Sequence, residues 1–182
     1  PDGYTILEEY LNAIIGGGLS TNLAHASINA GNSSFMSPDD GTLYLTDMHY
    51  SGGLTRAVAD SISGTNDDHI FQSERYGSTF AYAIPLENAD YLVTLKFAEL
   101  HHNDSGARVF DVFLEETEAI SGLDIYDEVG HGAAYDWTDR ITVNDGELNI
   151  RFTATVDSAQ VCAIVIEPVS AGVAACYTDG SI

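Results

Sequence analysis

An all-β fold, a sandwich of two sheets, is what this chain predicts, from three features. Turn-forming segments such as PDDG, SGG, SGTNDD, RYGS, ENAD, NDSG, EVGHG and NDGE recur at short intervals from Ala26 onward, a spacing typical of short strands joined by tight connections. The runs between them alternate apolar and polar residues with period two, the signature of a strand with one buried side. Helical periodicity is confined to the first stretch of the chain. With 182 residues the chain can bury one substantial core, and it reads as one domain with appendages.

Residues 1–18, PDGYTILEEYLNAIIGGG, predict one short α-helix. Thr5 and Glu8 have the spacing of a capping box, Ile6, Leu7, Tyr10, Leu11 and Ile14 form an apolar stripe, and Gly16, Gly17 and Gly18 end it. The wording resembles the second half of a dockerin or EF-hand-like repeat. That resemblance implies Asp2 and Gly3 as loop positions five and six and Glu9 as the bidentate ligand, giving Asp2 and Glu9 as a partial calcium loop. Half a loop does not enclose calcium by itself, so a docked helix is the simpler expectation. Residues 19–25 read as a polar linker and 26–168 as the main domain. Residues 169–182 are too poor in apolar residues for a core and form a tail or a link to a further module.

Within the main domain, FAYAIPL, YLVTLKFAEL and RVFDVFLE predict three strands. Tyr91, Val93, Leu95 and Phe97 fall on one face of the second, with Thr94 and Lys96 on the other; in the third, Phe110, Val112 and Leu114 alternate with Arg108 and Asp111. Together they read as an antiparallel meander. ELNIRFTATV predicts a further strand with Leu148, Ile150, Phe152 and Val156 inward, and VCAIVIEP, apolar on both sides, predicts a central covered strand.

The formal net charge of -22, with Lys96 the single lysine, excludes nucleic acid and anionic lipid as partners by repulsion. It fits a halophilic-type or cation-rich setting, in which a structural calcium is compatible though no cofactor is required. No stretch reads as a signal peptide and no apolar run is long enough to span a bilayer, so membrane insertion is not expected. The expected location is extracellular, secreted or at a cell surface, as a mature chain. Cys162 and Cys176 permit a disulfide there, while the apolar run around Cys162 favours a buried thiol, and spacing does not decide. Asn32 and Asn103 sit in glycosylation triplets.

The ordered motifs INAG (28–31), HYSGG (49–53), DDHIFQSERYG (67–77), TFAYAIPL, YLVTLKFAEL, GARVFDVFLE, LDIYDEVG (123–130) and VNDGELNIRFTATVDSAQVCAIVIE resemble the malectin family of carbohydrate-binding domains. The resemblance spans roughly the main domain and is far more specific than any single short motif. It implies a jelly-roll-like β-sandwich, of the family-57 carbohydrate-binding type, that reads glucose-type oligosaccharides with aromatic residues and one aspartate on edge loops. Carried over by motif, the tyrosine of E-R-Y is Tyr76 and the aspartate before V-C-A is Asp157. The adjacent aromatics of animal malectin fall on His101 and His102, and the position of a further family tyrosine falls nearest Asp60 or Ser61.

Sugar recognition needs an aromatic face for the C–H side of a pyranose and charged or amide groups for its hydroxyls. Tyr76 and Asp157 supply one of each, and Tyr50, His101, His102 and Trp137 are further candidates. Each has an ordinary structural alternative: Tyr50 and Tyr76 as half-buried aromatics at a sheet edge, Trp137 as a loop plug, Asp157 as a turn cap. His101, His102 and Asp104 offer metal-ligand chemistry only if a loop turns both rings to one side, and His131 matches a turn that orders its loop. Glu74 and Glu99 are the nearest to a glycosidase pair, but one abuts Arg75 in a structural motif and the other ends a core strand; no nucleophile or phosphate-loop motif accompanies them. The chain therefore reads as non-catalytic. Two functions remain: a carbohydrate-binding module of a larger protein, or a structural or adhesive extracellular domain whose partners are protein, through self-association or neighbouring domains.

Overall fold

Twelve strands and two short helices are laid down between Ala26 and Pro168; the structure, a computed structural model, describes residues 25–37 and 41–169. The 1–18 helix with Asp2 and Glu9, and the tail beyond Val169, lie outside the described residues. Strands β1 (Ala26–Asn29), β12 (Ala163–Pro168), β6 (Asp90–Phe97) and β9 (Tyr135–Thr142) form a four-stranded sheet in that order. The facing sheet has six strands. In it β5 (Ser73–Pro85) is flanked on one side by β4 (Tyr50–Ala57) and on the other by β11 (Ala159–Val161) and then β10 (Glu147–Val156), followed by β7 (Val109–Leu114) and β8 (Thr117–Leu123). A small pair, β2 (Phe35–Met36) and β3 (Leu43–Tyr44), stands apart. All these strand pairs are antiparallel.

The core lies between the two sheets, and the period-two faces expected from the sequence supply it. Tyr91, Val93, Leu95 and Phe97 of β6 are all buried, as are Phe110, Val112 and Leu114 of β7. Phe80 of β5 stacks on Phe152 of β10 with ring centroids 4.6 Å apart. β12 runs between β1 and β6. Its Ile164 and Ile166 enter the main core while Cys162, Ala163 and Val165 join a second apolar cluster with Ile62, Ile70 and Phe71. This is the covered central strand that VCAIVIEP predicts, and α1 (Asp68–Phe71) contributes to its second cover.

Three expectations are corrected. The runs containing β5, β6 and β7 do not form a meander: β6 belongs to the four-stranded sheet, and β10 separates β5 from β7 in the other. Alternation states which side of a strand is apolar but not which strand lies beside it, and here the apolar sides meet across the core. Val156 is 44 % exposed rather than inward, because the pairing of β10 with β7 shifts register between Ala154 and Val156, and such an irregularity turns the following side chains. Arg108, read as the polar side of its strand, is 2 % exposed.

Cys162 is a free, fully buried thiol whose Sγ lies 3.7 Å from the Phe71 carbonyl oxygen. Burial, reinforced by the nearby Glu74 carboxyl, pushes this thiol well above its ordinary range. In a Cys176→Ser variant, Cys162 is therefore expected to resist a thiol reagent at pH 8 in the native protein and to react fully once denaturant is added. Equal reaction with and without denaturant would contradict the burial.

Candidate carbohydrate-binding edge

The loop that follows β6 is shaped from beneath by one carboxylate. Glu99 is completely buried; its Oε1 accepts the backbone N–H groups of His101 and His102 at 2.8 and 2.9 Å, and its Oε2 accepts from Arg108 Nε at 2.7 Å. Arg108 Nη1 donates to Ser158 Oγ and to the Ser158 carbonyl oxygen. Burial alone would raise the Glu99 carboxyl, but the His102 amide and the Arg108 guanidinium hold it below the ordinary value. This chain of contacts fixes the His101–His102 loop to the turn that carries Asp157 and Ser158. Glu99 thus has no free lone pair aimed at solvent, which suits an anchor rather than an acid or base.

At the surface, His102 Nε2 lies 3.1 Å from Asp157 Oδ2, which also accepts from Ser158 Oγ at 2.8 Å. A carboxylate only accepts, so His102 donates through Nε2. Burial works to raise the Asp157 carboxyl, but these hydrogen bonds prevail and lower it. Asp157 has φ 58°, a left-handed conformation that Asp adopts more readily than bulkier residues and that recurs at functional turns. His131 Nδ1 is 2.9 Å from the His102 carbonyl oxygen; a carbonyl only accepts, so Nδ1 carries the proton and the ring orders the loop from the other side. The His101 and His102 rings meet edge to face with centroids 4.7 Å apart. Among the described residues no group of three His, Cys, Asp or Glu side chains is placed to hold a metal ion.

Tyr76 comes to the same edge through sheet register. It pairs with Gln160 of β11, and Asp157 lies three residues before Gln160 at the start of that turn. Tyr76 is half-buried, and the Arg56 guanidinium carbon stands 4.8 Å from its ring centroid. Two residues after Arg56, Val58 joins Asp60, Ser61, Ile62, Leu100 and His131 in lining a cleft of about 400 Å³, and backbone bridges tie Ser63 to Ala133 and Glu99 to His131. Asp60 and Ser61 are the positions nearest to the absent family tyrosine, so an open cleft stands where that ring would be sought. Tyr76, His101, His102 and Asp157 are therefore brought together, with His131 and the cleft beside them.

Two candidates are placed elsewhere. Tyr50 is 48 % exposed, but its ring lies 3.3 Å from the Arg75 guanidinium carbon and packs edge-on against Tyr82. Arg75 and Tyr76 are successive strand residues, which project to opposite faces, so Tyr50 belongs to the Arg75 side. There Arg75 and the Tyr82 hydroxyl both donate to Asp47. Trp137 is not a loop plug: it lies on β9 opposite Leu95 and packs against the core. Arg56, Arg108 and Ser158 were missed from the sequence, because an Arg facing a Glu nine positions away and a Ser fifty positions away leave no local pattern. Asn103, exposed beside His102, would place any attached glycan at this edge.

The model of the malectin domain family matches residues 24–175. The chain belongs to this family. Over 120 residues it is 36 % identical to mouse malectin and 35 % identical to human malectin, matches that cover 57 % of this chain and 41 % of each of those proteins. It therefore spans less than half the length of the malectins it matches. Rice kinesin-like protein KIN-14E is 32 % identical over 168 residues, covering 85 % of this chain and 16 % of that one. Among solved structures, the ectodomain of ANX2 from Arabidopsis thaliana has a TM-score of 0.71 at 16 % identity, covering 80 % of this chain and 49 % of that one. A Bacteroides uniformis β-glucuronidase has a TM-score of 0.72 at 20 % identity, covering 80 % and 18 %. At such identities these structures establish a shared fold for the malectin domain and nothing finer.

Proposed function

We propose that this malectin domain is a non-catalytic module that binds a glycan, glucose-type oligosaccharides first, at the edge carrying Tyr76, His101, His102 and Asp157. The observation that carries this reading is convergence: an aromatic ring on β5, a hydrogen-bonded Asp–His pair on a loop and a turn held by a buried network, and an open cleft lie at one edge. Asp157 accepts from sugar hydroxyls, His102 donates, and Tyr76 offers a face to ring C–H groups. The buried state of Glu74 and Glu99 supports binding without catalysis. An extracellular setting fits the acidic surface.

The test is calorimetric titration of the folded domain with α- and β-linked glucose, galactose and mannose disaccharides, at high and low salt and with or without calcium. A disaccharide is expected to bind the wild type, with affinity lowered at least about tenfold in Tyr76→Ala, as loss of a stacking platform implies. Absence of heat with every sugar, from folded protein, would instead favour the protein-partner reading and direct attention to self-association by sedimentation.

A further inference from the structure

Arg56 and Glu74 stand at the glycan-binding edge with no role in the reading above. At the end of β4, Leu54 is opposite Tyr76 and Arg56 is opposite Glu74, two residues apart and so on one side of the strand, and Val58, just past its end, lines the cleft. The Arg56 guanidinium thus lies on the Tyr76 ring, two residues before the cleft-lining Val58. Beneath it Glu74 is completely buried, and neither carboxylate oxygen accepts a hydrogen bond. Arg56 Nη1 is 3.5 Å from Glu74 Oε1, near enough to form an ion pair but not aligned as a hydrogen bond, and that nitrogen too lacks an acceptor. A sealed carboxylate is costly unless a charge compensates it, and Arg56 is the ion-pair partner the fold provides.

The groups that face Glu74 come from several elements: Arg56 from β4, Arg108 from before β7, Glu99 and His102 from the loop after β6, and the Cys162 thiol between β11 and β12. We propose that Arg56 is a ligand-reading residue of the glycan site and that Glu74 is the positioning residue that holds its guanidinium against Tyr76. A guanidinium only donates and the Asp157 carboxylate only accepts, so the pair would read a neutral pyranose, whose hydroxyls do both. An acidic sugar would meet Asp157 and a chain of net charge -22. This inference rests on the glycan reading and specifies how that site selects and when it is open.

Burial pushes the Glu74 carboxyl up to about 7 against the pull of Arg108 and Arg56. Above that pH the carboxylate holds Arg56, and below it a proton cancels the pairing. The experiment is calorimetry with the tightest neutral disaccharide at pH 6 and pH 8, on wild type, Arg56→Gln, Glu74→Gln and His102→Gln, each shown to be folded by circular dichroism. Wild type is expected to bind about tenfold more weakly at pH 6, the scale of one charged hydrogen bond. Arg56→Gln should be weak at both pH values, Glu74→Gln weak and flat with pH, and His102→Gln should keep the pH step, since Glu74 rather than His102 sets it. Without ligand, the Arg56 Nε resonance should move with pH through about 7 in wild type and not in Glu74→Gln.

Wild-type affinity in Arg56→Gln, or an undiminished pH step in Glu74→Gln, would overturn the proposal while leaving the glycan reading in place. No binding by wild type at either pH would remove the ligand-reading role together with the glycan reading, and an Arg56 resonance indifferent to pH would separately remove the positioning role.

Discussion

Glu99→Ala is expected to destabilise the fold by about 3–5 kcal/mol, because it removes one partner of a buried ion pair and leaves the other charged. Arg108 would keep its contacts to Ser158 but lose its counter-charge, and the His101 and His102 amides would lose their common acceptor. The effect should appear as a lowered urea midpoint with unchanged slope. It should also appear as loss of slow exchange at those two amides, a readout specific to this loop. The pH dependence has a defined sign. A carboxyl held below its ordinary value of 4.5 contributes stability that is present above that value and is lost as pH falls toward the lower folded one. Wild type should therefore lose stability in acid in a way that Glu99→Ala does not. A variant within about 1 kcal/mol of wild type, the range of an exposed pair, would show that the network is dispensable.

Asp47→Ala should be of similar size, again about 3–5 kcal/mol, at the other side of β5. Asp47 Oδ2 accepts from Arg75 Nε at 2.9 Å, Arg75 Nη2 at 2.6 Å and the Gly31 amide at 2.7 Å, and Oδ1 accepts the Tyr82 hydroxyl at 2.9 Å. Both ends of the Asp47–Arg75 pair are more than nine-tenths buried. Truncation would strand a guanidinium, a hydroxyl and a backbone amide at once. Gly31 offers no room to adapt: its φ is +78°, and a Cβ there would meet the Glu74 carbonyl oxygen at 2.3 Å. Asp47→Asn keeps an acceptor for part of this set and should lose less than Asp47→Ala. Equal losses for the two variants would mean that the carboxylate charge, not its shape or a neutral acceptor, carries the effect. Glycan affinity should change little at Asp47, whose Arg75 and Tyr50 neighbours lie on the opposite face of β5 from Tyr76.

What could be read from the residues and what could not divide along physical lines. Leu95, Phe97, Phe110 and Phe152 were assignable to the core because alternation is local and survives whatever lies beside the strand. Strand neighbours were not, since β10 enters between β5 and β7 from far along the chain. Val156 was misplaced by a register shift that no composition records. At the site, Tyr76, His101, His102 and Asp157 came from motif resemblance, and the backbone brings them to one rim through pairing of β11 with β5 and through the Glu99 anchor. Tyr50 was equally plausible by type, and only its stacking with Arg75 removes it from that rim.

By itself the sequence determined an acidic chain carrying a mostly β domain of the malectin kind, most of its strand faces, and which residue types it offers at the domain edge. These depend on composition, period-two patterning and colinear motifs, all of which are properties of short stretches. The tertiary structure alone decided which charges are buried and with whom: Glu99 with Arg108, Asp47 with Arg75, and Glu74 beneath Arg56. Those pairings join residues far apart in the chain through sheet register and burial, and burial is what turns an ordinary carboxylate into an anchor or a titrating group near neutrality.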